Sequence, residues 1–327
     1  MRRALRGVSI LLGLAGAALT VPLVLGFLGR LHPLFASLAH FRLHLAVAVA
    51  GAGLVLLAVR GWRRNGAAMA ALAAAAAFVT LWPAAGNRAA DTLPQPSYRL
   101  LHLNLRFDNP RPDLFLALIE QQKPDVVTLA EVSPGWAERL AATEAAYPYR
   151  LICPERSYIG VVAILSRLPF ASEEARCTRG GSLAVATVDF NGRPAEVAAL
   201  HLMWPWPFGQ DRQVARLAPL LAGLGPRALV GGDFNATPWS ESVRMLAAAG
   251  GLRLAPWAGP SYLDRRLPAW LRPLAGLPID HVLVKGDIVA GAVSRLAPVG
   301  SDHLPVLFEF AIGEPPPAVQ TAGRRAG

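Results

Sequence analysis

The sequence predicts an α/β domain of the sandwich type, carried behind a segment of three membrane-spanning helices. Three observations point there. The first 90 residues hold three long apolar runs and no Asp or Glu. The rest of the chain sets many short apolar strands, one hairpin among them, between a few helical stretches. It shows no Gly-rich phosphate loop and no dinucleotide fingerprint, which argues against a doubly wound sheet.

The apolar runs come first. Val8–Leu28 has no charge and matches the roughly 20 residues that cross a bilayer. Leu43–Val59 has only His44, and Ala67–Trp82 is nearly all Ala, Leu, Val and Phe. Spans are placed at residues 8–28, 43–59 and 67–83. Arg42 and Arg60 bracket the second, and Trp82 sits at the interface after the third. The first run is too long for a signal peptide core, and two more spans follow it. No acid lies in any span, so transport or proton relay is not expected. Residues 1–86 read as an anchor. Whether the anchor also gathers a lipid substrate stays open.

Arg2, Arg3 and Arg6 precede the first span, and Arg60, Arg63 and Arg64 separate the second from the third. Between the first two stand only Arg30 and Arg42, with His32 and His40. The positive-inside rule then puts the N-terminus in the cytoplasm and the C-terminal domain outside the inner or plasma membrane.

The formal charge of +10 suggests a polyanion partner until its distribution is read. Of 32 Lys and Arg, nine lie in residues 1–90 and two in the tail, leaving 21 against the 22 acids between Asp91 and Glu314. A nearly neutral domain is a poor base for tracking a nucleic-acid strand. Cys153 and Cys177 are the only cysteines and lack metal-site spacing. An extracytoplasmic domain would let them pair; two buried thiols are the expected state.

Residues 87–97 carry Pro94 and Pro96 and read as a linker. Tyr98–Leu105 is a strand with Asn104 near its end. Leu114, Phe115, Leu118 and Ile119 fall at helical spacing, and Pro124 stops that helix. Val126–Leu129 is a short strand that leads to Glu131. Gly160–Ser166 is a buried strand followed by Arg167. Leu183–Phe190 and Ala195–Leu202 flank a turn that opens with Asn191-Gly192, a strong hairpin signal, and the second strand carries His201. Gln210–Leu221 is helical. Ala228–Val230 then run into Gly231, Gly232, Asp233 and Asn235. Asp233 and Asn235 alternate on an extended chain and so face one way. The two glycines are expected to let substrate approach the backbone. A helix follows over Glu241–Ala249, closed by Gly250. Pro278–Val284 is a strand holding Asp280. Gly300–Val306 delivers Asp302 and His303 before a last strand to Phe310. Residues 313–327 are Pro- and Ala-rich and expected to be disordered.

Polar groups thus stand at six strand or loop ends. Burying them unpaired costs several kcal/mol each, so the stripe needs a reason, and a bound divalent cation supplies one. The motifs and their order resemble the endonuclease/exonuclease/phosphatase superfamily over about residues 98–312. The resemblance rests on Leu-Asn-Leu at 103–105, Leu-Ala-Glu-Val at 129–132, Ala-Ile-Leu-Ser-Arg at 163–167, Ala-Leu-His at 199–201, Gly-Asp-Phe-Asn at 232–235, Ile-Asp-His at 279–281 and Ser-Asp-His-Leu-Pro at 301–305. It implies a four-layer sandwich, two packed mixed β-sheets flanked by helices, with the site at one edge.

The resemblance also implies roles. Glu131 would hold Mg²⁺, or Mn²⁺ in its place, aided by Asn104 and Asp302. Asp233 would orient or deprotonate the attacking water. Asn235 would donate to a phosphate oxygen. His303, held by Asp280, would contact the phosphate. His201 would contact the phosphate or assist the leaving group. Oxygen ligands favour Mg²⁺ over Zn²⁺. The chain departs from the pattern at Arg106, where many members carry a second acid; Arg106 stands either to contact substrate phosphate or to face solvent. Ala130 replaces a common Gln. His281 reads as a packed strand residue.

Aromatic loops follow His201, at Met203–Phe208, and precede Asp280, at Leu267–Arg272. Trp204 and Trp206 are candidate substrate contacts. Such loops suit a bilayer interface, local packing or base stacking. Three spans followed by an external domain of this superfamily are similar in layout to bacterial membrane proteins linked to glycopeptide-resistance loci. That layout implies a lipid-linked phosphate, a polyprenyl phosphate such as a polyprenyl pyrophosphate. The expected activity is Mg²⁺-dependent hydrolysis of a lipid-linked or small phosphoester. A nuclease of the same fold and an inactive membrane scaffold are the alternatives.

Overall fold

The computed structural model describes residues 2–85, 89–90, 92–155 and 157–313. The tail expected to be disordered lies outside them from Glu314 on. The apolar N-terminal runs form helices α1 (Arg2–Leu25), α2 (Pro33–Ala39), α3 (Arg42–Leu57) and α4 (Arg63–Ala85). Two stretches are long and apolar enough to cross a membrane, Ile10–Leu28 and Arg63–Trp82, and α2 with α3 would make a third only as a pair bent by 66°. The second run lies largely in α3. At about 1.5 Å per residue, the 16 residues of α3 fall short of a ~30 Å hydrocarbon core. Arg42 is the first residue of α3. It is buried, donates to the Gly26 carbonyl (2.6 and 3.0 Å) and lies 4.1 Å over the Phe27 ring, joining the end of one apolar run to the start of the next.

The domain that follows is built from strands β1 (Ser97–Asn104), β2 (Val126–Val132), β3 (Tyr149–Ile152), β4 (Val161–Ser166), β5 (Arg176–Cys177) and β6 (Leu183–Asp189). Six more complete it: β7 (Pro194–His201), β8 (Ala228–Asp233), β9 (Arg253–Leu254), β10 (Asp280–Lys285), β11 (Ile288–Arg295) and β12 (Val306–Ile312). Helices α5 (Pro112–Gln122), α6 (Pro134–Leu140), α7 (Gln210–Ala222), α8 (Glu241–Gly250) and α9 (Arg272–Ala275) lie between them. One six-stranded sheet runs β11-β12-β1-β2-β4-β3 and the other β5-β6-β7-β8-β10-β9. Each has one parallel pair, β1 with β2 and β7 with β8, and α5 and α7 make the two crossovers. Among the described residues the remaining strand pairs are antiparallel, so both sheets are mixed.

Side-chain alternation explains the layers. On β7, Val197 and Ala199 join the core between the sheets, with Leu100, Leu129 and Leu229. Ala198 and Leu200 point the other way and pack with Val214 and Leu217 of α7 and Leu246 of α8. The expected hairpin is present between β6 and β7, with Asn191 (φ 57°) and Gly192 (φ 82°) both left-handed at its turn. Cys153 and Cys177 are bonded to each other, not two free thiols. Cys153 follows edge strand β3 and Cys177 ends edge strand β5, so the two sheets bring residues 24 apart within disulfide reach, Cα–Cα 5.6 Å.

The N-terminal helices also dock on the domain. Trp239 Nε1 donates to the Ala39 carbonyl (2.7 Å), and the Trp206 backbone donates to Ser37 Oγ (3.1 Å). The His40 and Trp204 rings lie 4.6 Å apart, and Arg30 pairs with Glu241 at 2.8 Å.

Candidate active site

The C-terminal ends of the two parallel pairs meet at one edge of the sandwich. Asn104 ends β1 one position past Leu103, which faces Leu129 of β2. His201 faces Asp233 across the parallel β7–β8 ladder, and Asp280 faces Asp233 from the antiparallel β10. One sheet therefore places His201, Asp233 and Asp280 in a row, and the other supplies Asn104 and Glu131. An interruption in the β2–β4 register between Leu129 and Val132 turns the chain at Glu131.

Asn104 joins the two sheets. Its Nδ2 donates to Glu131 Oε1 (3.0 Å) and to Asp233 Oδ2 (3.0 Å). The Phe107 backbone donates to Glu131 Oε2 (2.9 Å). Asp280 Oδ2 accepts from His303 Nδ1 (2.8 Å), and its Oδ1 lies 3.2 Å from His102 Nε2. His303 Nε2 and His201 Nε2 each stand 3.7 Å from Asp233 Oδ2. Ser301 Oγ donates to the Asn104 carbonyl (2.7 Å) and accepts from the His303 backbone (3.0 Å), which ties the last loop to β1. Among the described residues five non-glycines have positive φ, and three of them are Arg106, Glu131 and Asn235. Such backbone strain gathers where side chains must be aimed.

The electrostatics follow from burial. Asp233, Asp280 and His303 are nearly inaccessible. Burial raises the Asp233 carboxyl above its usual range against the pull of His303. At Asp280 burial pushes the same way, but the His303 charge and the bonds from His102 and His303 outweigh it and hold the carboxyl far below. For His303 burial is overcome by Asp280 and Asp233, which push the imidazole up to about 10. It is a cation at neutral pH, aimed at Asp233.

Not every expected residue lies as expected. Asn235 reaches the site, but its Nδ2 donates to the Leu202 carbonyl (2.8 Å) and lies 3.3 Å from Asp233 Oδ2, so it faces inward and braces Asp233. Asp302 lines a pocket with Arg106 and Tyr262. Trp204 and Trp206 carry the contacts to His40 and Ser37 given above. Gly231 and Gly232 are not open to substrate. A Cβ on Gly231 would stand 2.6 Å from Thr128 Oγ1, and one on Gly232 2.5 Å from the Leu200 carbonyl. His281 packs as expected, its Nε2 2.8 Å from the Ala236 carbonyl.

His102 was missed. It is buried between Asp280 and Thr128, its Nδ1 3.1 Å from Thr128 Oγ1. The available signal was its spacing, two residues before Asn104 on the same face of a strand.

Two donor sets suit a cation. Asp233, Asp280 and His303 offer ligand atoms within 4.8 Å of one another. Glu131 is less buried, and each of its oxygens accepts a single N–H, which leaves lone pairs for a hard ion. Asn104 would have to present Oδ1, which here accepts the Arg106 backbone N–H (2.9 Å).

A sequence model described as the Endonuclease/Exonuclease/phosphatase family matches residues 101–303, more than half of the chain. Solved structures share the fold. D. rerio TDP2, solved with a single-strand DNA product, is 15% identical and aligns over 66% of this chain and 100% of its own, with a TM-score of 0.55. The 3′ phosphatase NExo from Neisseria, bound to a product DNA hairpin, is 18% identical over 65% of this chain and 99% of its own, TM-score 0.54. An endonuclease/exonuclease/phosphatase from Beutenbergia cavernae is 22% identical over 68% of this chain and 73% of its own, TM-score 0.52. No curated protein matches the sequence.

Proposed function

The chain belongs to the endonuclease/exonuclease/phosphatase family, and from that premise we propose a membrane-anchored, divalent-metal-dependent phosphohydrolase with an extracytoplasmic catalytic domain. Its substrate on this reading is a lipid-linked phosphoester of the polyprenyl phosphate type, or a small phosphoester. One observation carries it. The loop that leaves His201 and the turn that follows Asn235 both dock on residues 37–40, between the first apolar runs. Residues a few positions from the reacting centre therefore touch the anchor. Met203, Trp206 and Phe208 are exposed beside that contact, as a bilayer interface favours. The disulfide adds support for the outer face, since such bonds persist in oxidising compartments.

The residues divide the work. Asp233 takes the position of the group that orients or deprotonates water. Asn104 and Asn235 hold its carboxylate. His303, made cationic by Asp280, and His201 offer donors to the phosphoryl oxygens as charge grows on them. His102 fixes the second oxygen of Asp280, so the ring of His303 keeps one orientation. Glu131 and Asn104, with Asp302 from the neighbouring loop, would hold Mg²⁺, or Mn²⁺ in its place. When bound, the cation neutralises developing charge on the phosphate. Arg106 is assigned to substrate phosphate.

The test is a Mg²⁺-dependent panel on the full chain in detergent: DNA, RNA and polyprenyl phosphates, with Asp233→Ala as control. Phosphate release from the lipid alone supports the reading. Degradation of DNA by the wild type but not the variant sinks it in favour of a nuclease. Orientation has its own readout: a reporter active only in the cytoplasm, fused after Gly327, should be silent.

A further inference from the structure

Beside the catalytic centre lies a cavity of about 500 Å³ with four guanidinium groups in its wall, Arg106, Arg265, Arg266 and Arg272. It starts where the site ends. Arg106 is two residues past Asn104, and Asp302, also in the wall, precedes His303. The Tyr262 ring, a third boundary, is 5.2 Å from the His303 ring.

The arginines are not all spent on acids. Arg106 pairs with Asp108 and Arg266 with Asp264. Arg272 donates to the Leu267 (2.9 Å) and Arg265 (3.1 Å) carbonyls, which holds the loop in a curl. Among the described residues no carboxylate reaches Arg265 or Arg272. Arg106 Nη1 is buried without a hydrogen-bond partner, a costly state. The domain as a whole is nearly neutral, so four cations against the two carboxylates of this wall are a local device, not part of a long basic track.

We infer that this cavity is a second-phosphate subsite, and that the preferred substrate is a diphosphate ester. The inference rests on the hydrolase reading above and narrows it. The terminal phosphorus would sit at Asp233 and His303, and the inner phosphate among the arginines. The water oxygen bonds to the terminal phosphorus while the bond from that phosphorus to the bridging oxygen breaks. The bridging oxygen keeps the electron pair and leaves as part of a monophosphate ester, held by the guanidinium groups. The water proton passes to Asp233. Guanidinium is the side chain best shaped for such an oxyanion. The organic part of the ester leaves the cavity along the same loop, where Trp270 and Leu274 are exposed.

The test uses the full chain in detergent, with Arg265→Gln/Arg266→Gln as the variant, since both side chains are exposed. A thermal melt checks that the variant folds. Calorimetry on the Asp233→Ala background compares inorganic pyrophosphate with inorganic phosphate. Pyrophosphate should bind more tightly than phosphate, and the double variant should lose about tenfold or more of that preference. In the Asp233-intact protein, KM for an isoprenyl diphosphate should rise at least as far relative to a monophosphate ester. An ADP arm separates a lipid source of the diphosphate from a nucleotide one. An unchanged pyrophosphate preference, or none in the wild type, overturns the subsite even if the protein hydrolyses monoesters. Absence of turnover with a pyrophosphate preference that depends on Arg265 and Arg266 leaves the subsite standing and removes the hydrolase.

Discussion

Asp233 sits where three independent devices converge: burial, the amide of Asn104 and the cationic ring of His303. Asp233→Asn keeps the shape and removes the base, so turnover should fall by about 10²–10⁴. Steady-state kinetics on the Mg²⁺-loaded protein check it, and wild-type-like turnover would remove Asp233 from the mechanism. Glu131→Gln makes a separate prediction: the cation concentration for half-maximal rate should rise more than tenfold, and EDTA should abolish activity. His303 predicts a pH effect on the metal-free protein. Its folded value, about 10, lies above the ordinary 6.5, so its stabilising contribution is complete below about 6.5 and is lost as pH rises through about 10. Melts across that window should fall more steeply for the wild type than for His303→Gln. Most of these residues were legible because polar groups at the ends of apolar strands are conspicuous. His102 was not, because a histidine within a strand looks like packing until the other sheet delivers Asp280 to it. What Trp204 and Trp206 meet was open for a related reason: an aromatic loop does not say which surface it faces.

The strands show the same division. Their apolar runs and the Asn191-Gly192 turn marked β1, β4, β6, β7, β8 and β10 within a residue or two. The glycines of β8 were read as an opening for substrate. They are a packing requirement instead, since Gly231 meets Thr128 of the opposite sheet and Gly232 meets the Leu200 carbonyl beside it. Gly232→Ala should therefore destabilise the fold by about 1–3 kcal/mol, measured by denaturant unfolding in detergent. The Leu200 carbonyl is backbone within a strand and has little room to give. A neutral effect would show that β8 shifts more freely than its ladder implies. At the break between α2 and α3 Arg42 turns inward to the Gly26 carbonyl, a contact visible only once both segments are placed.

For the whole molecule, two links hold parts of the chain that are distant in sequence. The Cys153–Cys177 bond spans the edges of the two sheets, and Cys153→Ser should cost about 2–4 kcal/mol, as reduction of the wild type should. The Trp239–Ala39 bond joins the domain to the N-terminal helices across 200 residues, and Trp239→Phe should loosen that junction, read as faster proteolysis near residues 87–97. The sequence by itself determined the class of the fold, the apolar N-terminal helices and the polar strand ends, because hydrophobic period and chain-terminal charge are local properties. The tertiary structure decided which of those ends meet, that the cysteines pair, that the tryptophans meet the N-terminal helices and that four arginines gather beside Asp302. Those are contacts between residues far apart in the chain, set by strand register and sheet packing, and no local pattern carries them.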